Sequence, residues 1–357
     1  MALVAILNDT HWGARNDSKA FADYFHRFYA EIFFPYLVEN DIKTIFHLGD
    51  VFDRRKYINF VTAANFENHF IKPCSDNDIE LVMIAGNHDT FYKNTNEVNS
   101  IRQLYKNTSY SNVTVHWQDP VELNVDGCKI VLSPWICADN EESTMEFFEK
   151  TSAQIVMGHF EISGYEMMRG QICDHGLDRN IFKKFDAVYS GHFHHPSSHG
   201  NISYLGAQYE MTWSDYDQVR GFSVFNTDTR EMTYVKNPLK MFHKIFYDDT
   251  NMTMEDVAGL DVSELSNTYI KVIVQNKTNP YIFDMYLDKI QEMSPADIKV
   301  VEDHKNLDVI DEEQLVDEAQ DTLTILKRYI ENVEVNGKKD EIEKFLGELY
   351  HEAISIE

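Results

Sequence analysis

Short apolar runs and amphipathic stretches alternate through the first half of the chain. Leu3–Leu7 is an apolar run stopped at once by Asn8-Asp9, and it reads as a buried strand. In Lys19–Asn40 the residues Phe21, Tyr24, Phe25, Phe28 and Ile32 recur at helical spacing, with Pro35 expected to kink or end the helix. Thr44–Leu48 and Ile79–Ala85 read as the next two strands, with a helix at Phe60–Phe70 between them. Val121–Val125 and Cys128–Leu132 flank Asp126-Gly127, a hairpin-turn pair. Gln154–Met157 and Ala187–Tyr189 are further short strands. Such alternation predicts an α/β layered domain.

Beyond about residue 205 the pattern changes. Gly221–Phe225 and Glu231–Val235 form an expected hairpin. Tyr269–Val274, a helix at Tyr281–Met293 and Ile298–Val301 suggest a small separate α/β unit. The expected division is a catalytic domain at 1–240, a capping, DNA-contact unit at 241–305, an acidic linker at 306–321 and a helical tail at 322–357. In that tail Ile342, Phe345, Leu346, Leu349, Tyr350 and Ala353 make one apolar stripe, and Leu323, Leu326 and Ile330 make another. Both stripes can fold back on the domain or dock on a partner.

Composition narrows the class. Of 357 residues, 43% are hydrophobic and 13% aromatic, enough for a sizeable core. No stretch approaches a membrane span, and Ala2–Leu7 is too short for a signal-peptide core. Cys74, Cys128, Cys137 and Cys173 form no C-x-x-C pair, which suits a reducing cytoplasm. The net charge of −27 is adverse for a nucleic-acid binder. Residues 1–246 carry 32 acids and 22 bases, however, while residues 247–357 carry 27 acids and 10 bases. The excess therefore sits mostly in the last third, away from the motifs that follow.

Five motifs each come after a predicted strand: Asp9-x-His11, Gly49-Asp50-x-x-Asp53, Gly86-Asn87-His88-Asp89, Gly158-His159 and Gly191-His192-x-His194. Singly, each occurs by chance or marks an ordinary turn or helix cap. Five in series, at the carboxyl ends of strands, converge on one crevice. Carboxylate oxygen with imidazole nitrogen suits Mn²⁺, Fe or Zn²⁺, and paired ions grip a phosphate and lower the pKa of a bound water. Arg54-Arg55-Lys56 should lie at the mouth of that crevice, as phosphate contacts or as solvated charge, with Arg15 and Lys93 as weaker candidates.

The motif series resembles the calcineurin-like metallophosphoesterases over roughly residues 1–225. Gly-Asn-His-Asp with a terminal Gly-His-x-His is similar to the nucleases and phosphodiesterases of that superfamily. Tyr204-Leu205-Gly206-Ala207, Arg220-Gly221-Phe222 and Gly158-His159-Phe160-Glu161 resemble segments of SbcD-type double-strand-break-repair nucleases, and most of all the bacteriophage recombination endonuclease subunit of that group.

The resemblance implies a four-layer α/β/β/α sandwich with a small α/β cap and a helical tail. It implies Asp9, His11, Asp50 and His194 on one metal, and Asp50, Asn87, His159 and His192 on a second, Asp50 bridging. His88 would face the scissile phosphate, and Asp89 would orient His88 or cap the loop. Many cellular relatives carry His where this chain has Asp53, which is read here as a carboxylate orienting His11 or another ligand. The implied activity is hydrolysis of DNA with two divalent ions, Mn²⁺ or else Mg²⁺: 3′→5′ exonuclease on duplex ends and endonuclease on single strands. The implied partners are DNA, an SbcC-type coiled-coil ATPase and a second nuclease subunit. The expected compartment is the cytoplasm, the host's if the chain is phage-encoded. A nucleotide or small-molecule phosphodiesterase on the same fold is the alternative, and an inactive scaffold is another.

Overall fold

A computed structural model describes residues 2–168 and 171–302. The expected linker (306–321) and tail (322–357) lie outside the described residues.

The strands, in chain order, begin with β1 (Leu3–Leu7), β2 (Thr44–His47), β3 (Glu80–Ile84), β4 (Val113–His116), β5 (Val121–Val125) and β6 (Cys128–Ser133). Next come β7 (Ile155–His159), β8 (Glu166–Met168), β9 (Gln171–Ile172), β10 (Ala187–Gly191), β11 (Ser197–His199) and β12 (Ile202–Tyr204). The last are β13 (Arg220–Asn226), β14 (Met232–Asn237), β15 (Phe242–Asp248), β16 (Tyr269–Asn276) and β17 (Asp297–Val301).

Two six-stranded sheets are built from strands within residues 3–237, ordered β14-β13-β1-β2-β3-β4 and β11-β12-β10-β7-β6-β5. β1 to β4 run parallel, as do β6, β7, β10 and β12, while β13, β14, β5 and β11 add antiparallel edges. Alternate residues of β1 point to opposite faces, so one strand feeds two cores. Val4 and Ile6 join Phe46, Leu48, Ile84, Ile130, Leu132 and Met157 between the sheets. Ala5 and Leu7 face the helical layer with Phe21, Phe25, Phe28 and Phe70. Phe148, Phe182 and Phe185 cover the outer face of the second sheet. The result is the four-layer α/β/β/α sandwich.

The first long helix differs from its expected form. Of the two effects expected of Pro35, ending the helix does not occur: α-helix Lys19–Arg27 passes into a π-helical segment, Phe28–Phe33, and resumes as Phe34–Glu39. The same device recurs at Phe60–Phe66, π-helical Glu67–Ile71 and Lys72–Asp76, where Pro73 sits near the start of the resumed helix. A proline lacks the N–H for the i→i−4 bond and its ring clashes with that carbonyl. A wider π turn just upstream moves the carbonyl ladder out of register with the ring, so the helix continues.

A third, three-stranded sheet, β15-β16-β17, is all parallel and packs on helix Pro280–Gln291, N-capped by Asn279 accepting from the Tyr281 N–H at 3.0 Å. Its own core includes Tyr247, Val257, Ile270, Val272, Phe283 and Ile290. β15 was not foreseen, because Phe242–Asp248 shows neither an apolar run nor clean alternation. Buried Glu210 anchors its start, accepting from the N–H groups of Met241 (2.7 Å) and Phe242 (3.0 Å). Among the described residues no helix is long and apolar enough to cross a membrane.

Candidate dinuclear metal centre

All five motifs lie at the carboxyl ends of parallel strands, Gly158-His159 closing β7 itself: β1, β2 and β3 from one sheet, β7 and β10 from the other. The crevice therefore opens where the two sheets meet, and its groups come from loops that must bend sharply. Asp9 (φ 51°), His11 (φ 42°), Asp50 (φ 54°) and His192 (φ 86°) all adopt left-handed backbone. Each such residue costs about 1–3 kcal/mol and persists only where its surroundings over-determine it. Here the loops are laced together: Asp9 N–H donates to Gly49 O (3.0 Å), His11 N–H to Asp50 O (3.1 Å) and Trp12 N–H to Val51 O (2.9 Å). Trp12 is buried and stacks on Tyr29 at 5.2 Å, which fastens the loop to the helical layer. At Gly86 any Cβ would overlap the Asp50 carboxylate, so that close approach requires glycine.

Two clusters of donor atoms result. Asp9, His11 and His194 form one, and Asp50, His159 and His192 form the other. In the first, His11 Nε2 and His194 Nε2 approach to 3.1 Å and Asp9 Oδ1 lies 4.0 Å from His194. In the second, Asp50 Oδ2 is 3.3 Å from His159 Nε2, and Asn87 Oδ1 is 2.9 Å from that nitrogen and 3.0 Å from His192 Nδ1. The same Asp50 Oδ2 lies 3.8 Å from His11 Nε2, so this carboxylate stands between the clusters. The seven residues named from the sequence are thus gathered in one buried pocket.

Electrostatics favours cations there. Burial opposes charge on Asp50, but the imidazoles of His159 and His88 outweigh it and hold the carboxyl well below its usual range. Burial, then His88 and His194, push His11 well below the ordinary histidine value. Burial likewise lowers His192. Both are neutral at pH 7, the form that ligates. Burial works against a proton on His159 too, yet Asp50 overrides it and raises the pKa to about 9. Positive charge is wanted beside Asp50, and a divalent ion would supply it in place of that proton. Mixed carboxylate, amide and imidazole donors, converging and water-poor, fit two such ions.

The remaining candidates divide. His88 donates its N–H to Asp50 Oδ1 (2.8 Å), and its Nδ1 lies 2.7 Å from Asp53 O. Its ring packs edge-on to His11 at 4.8 Å. Asp89 caps the loop: it accepts from the N–H groups of Gly86 (2.9 Å), Val51 (3.1 Å) and Phe52 (3.3 Å), and from the Ser100 hydroxyl (3.0 Å). Asp53 Oδ1 lies 3.5 Å from His11 Nδ1, beside the ligand it was expected to orient. Arg54 is committed elsewhere, to Asp17 at 2.8 Å and to Asn16. Arg55 opposes the proton on His88, whereas Lys56 and Lys93 are exposed. Arg15 donates to Met211 O at 3.0 Å.

A match to the calcineurin-like phosphoesterase profile covers residues 2–196. The chain belongs to that family. As a metallophosphoesterase it is an enzyme of phosphoester hydrolysis that uses divalent metal ions. It is 30% identical over 321 residues to exonuclease subunit 1 of Enterobacteria phage T4, covering 89% of this chain and 90% of that one. It is also 25% identical over 251 residues to the SbcD component of the SbcCD nuclease of Staphylococcus epidermidis, covering 58% and 59%. Among solved structures, a dimetal phosphatase from Danio rerio aligns at TM-score 0.43 and 10% identity, over 66% of this chain and 95% of that one.

Three supports of this phosphoesterase pocket were not foreseen. Glu161 Oε2 lies 3.2 Å from His192 Nε2, directing the ring so that Nδ1 faces Asn87. Trp135 packs 5.2 Å from the His192 ring. Arg220, ion-paired to buried Asp215 at 2.5 Å, donates to the His194 carbonyl. Glu161 was legible only as part of a resembling segment; nothing local marked Trp135.

Proposed function

We propose that this metallophosphoesterase is a DNA nuclease, acting as 3′→5′ exonuclease on duplex ends and endonuclease on single strands with Mn²⁺ as the preferred ion. The observation that carries the proposal is the double cluster Asp9/His11/His194 and Asp50/His159/His192, with Asp50 between. Relationship to a phage exonuclease subunit along nearly the whole chain supports DNA as the substrate. Asn87 completes the second donor set.

Bound ions would bind the phosphate oxygens and activate a water for attack. His88 is suited to protonate the leaving oxygen. Burial disfavours its charge, but Asp50 outweighs burial and raises its pKa, so it can hold a proton near neutrality. With Nδ1 engaged by Asp53 O, Nε2 is the atom that delivers the proton. Asp53 steadies His11, and Asp89 keeps the Asn87-His88 loop shut on the Asp50 loop.

The unit at 241–305 serves as a DNA-contact cap, and the tail at 322–357 docks on an SbcC-type ATPase, with two nuclease subunits in the assembly. A partner would supply DNA grip that a chain of net charge −27 lacks. Purified chain with Mn²⁺ or Mg²⁺, assayed on duplex DNA, single-stranded DNA and a generic phosphodiester, tests the substrate. Hydrolysis of the generic ester alone would leave a small-molecule phosphodiesterase.

A further inference from the structure

Beside the dinuclear pocket lies a third group of donors, of which the hydrolytic site draws only on Glu161, through its contact with His192. Glu161, Cys173 and His175 offer a carboxylate oxygen, a thiol sulfur and an imidazole nitrogen, all within 4.8 Å of one another. We propose that these three residues form a mononuclear site for a borderline-soft divalent cation, zinc first, separate from the two ions of the hydrolytic centre.

The donor set is the first ground. Thiolate with imidazole and carboxylate selects zinc or cobalt(II) over Mn²⁺ and Mg²⁺, which prefer oxygen-rich sets. None of the seven residues at the dinuclear pocket is a cysteine, so the two centres differ in kind.

Construction is the second ground. Cys173 is fully buried, and its position is fixed on both sides: its N–H donates to Tyr165 O (2.8 Å) and its carbonyl accepts from Gly164 N–H (2.7 Å). The chain then turns through Asp174 and His175 to Gly176, which has φ +90°; a Cβ there would come within 2.5 Å of the Glu161 carbonyl oxygen. Leu177 N–H donates to that same carbonyl at 2.8 Å. The Cys-x-His loop is therefore pressed on the backbone of the residue that supplies the third ligand. His175 lies between the other two donors, its Nε2 3.3 Å from Glu161 Oε1 and its Nδ1 3.8 Å from Cys173 Sγ, and it would offer the ion one of these nitrogens.

The two Glu161 oxygens face different ways. Oε2 lies against His192, and Oε1 faces His175. An ion on Oε1 would thus leave the His192 contact in place. The His175 side chain is 47% exposed, which gives an ion a way in and leaves room for water as a fourth ligand.

Cobalt(II) titrated into the purified full chain tests this. A thiolate-to-cobalt charge-transfer band in the near ultraviolet should appear and level off at the intensity of one cobalt thiolate per chain, since no ligand of the dinuclear centre can produce it. Cys173→Ser should abolish the band. Losing even an outer partner of a metal ligand costs about 10–100-fold in affinity, so His175→Ala should weaken the site at least about tenfold. His175 is exposed, so that variant should fold, and its circular dichroism would verify this; it keeps the test decisive if Cys173→Ser fails to fold. No band in the wild type would overturn the proposal. So would a band that survives Cys173→Ser or is unaltered in His175→Ala. With no band, the cluster is a buried thiol beside an ordinary Glu–His ion pair.

Discussion

The backbone N–H of His88 donates to Oδ1 of Asp50 at 2.8 Å, tying the proposed proton donor to the carboxylate that stands between the two donor clusters. Oδ2 of Asp50 is then the oxygen nearest both His159 and His11. Asp50→Ala should lose both ions and all hydrolysis. Metal analysis after Mn²⁺ loading checks this, and retention of two ions with normal cleavage would reject the bridging role.

His88→Ala separates proton transfer from metal binding. It should keep near-normal metal content and lower turnover by about 10²–10⁴-fold, the range for a lost general acid. Metal loss in this variant would make His88 a ligand instead.

Basic residues near the crevice should behave differently from one another. Arg54 is held by Asp17 and Asn16, so Arg54→Ala should loosen that loop and lower the melting temperature, with little change in the salt dependence of DNA binding. Arg55→Ala and Lys56→Ala should each flatten the log–log salt slope by about 0.9 if they meet phosphates. An unchanged slope in the double variant would return both to the role of solvated charge.

Stability should fall in mild acid through a pair that is not among the metal-centre residues. His26 and His69 stack with centroids 3.7 Å apart. Burial, then His69, lowers His26 to about 4, and burial lowers His69 as well; Asp23 favours and Lys19 disfavours the proton on His26. Folded pKa values below the unfolded one mean that the unfolded chain binds protons first. The contribution is complete above about pH 6.5 and is lost as pH falls toward 4. Denaturant midpoints across this window should drop for wild type and drop less for His69→Gln. Equal slopes would show that the stack is not the sensor.

Much of the catalytic half could be read from the chain because its signals are local. The apolar run Leu3–Leu7 is β1 to the residue, and Asp126-Gly127 turns the β5–β6 hairpin. Strand-then-motif order placed seven metal-seeking groups in one crevice, since parallel strands put their carboxyl ends together. Pro35 does not end the helix, because a proline forbids one hydrogen bond locally while the π turn that accommodates it is a property of the whole packed helix. β15 was missed because its seven residues carry no period of their own.

Which groups hold which emerges only from long-range packing. His192 meets Asn87 across 105 residues and Glu161 across 31, and Arg220 reaches His194 across 26. Arg54 proved to be a strut to Asp17, and Asp89 a cap for two loops. Most of the elements and the chemical inventory are legible in the chain, because hydrophobic period and residue type act over a few neighbours. Partner choice, burial and the resulting proton affinities arise only when distant loops share one low-dielectric pocket, and those the fold alone supplied.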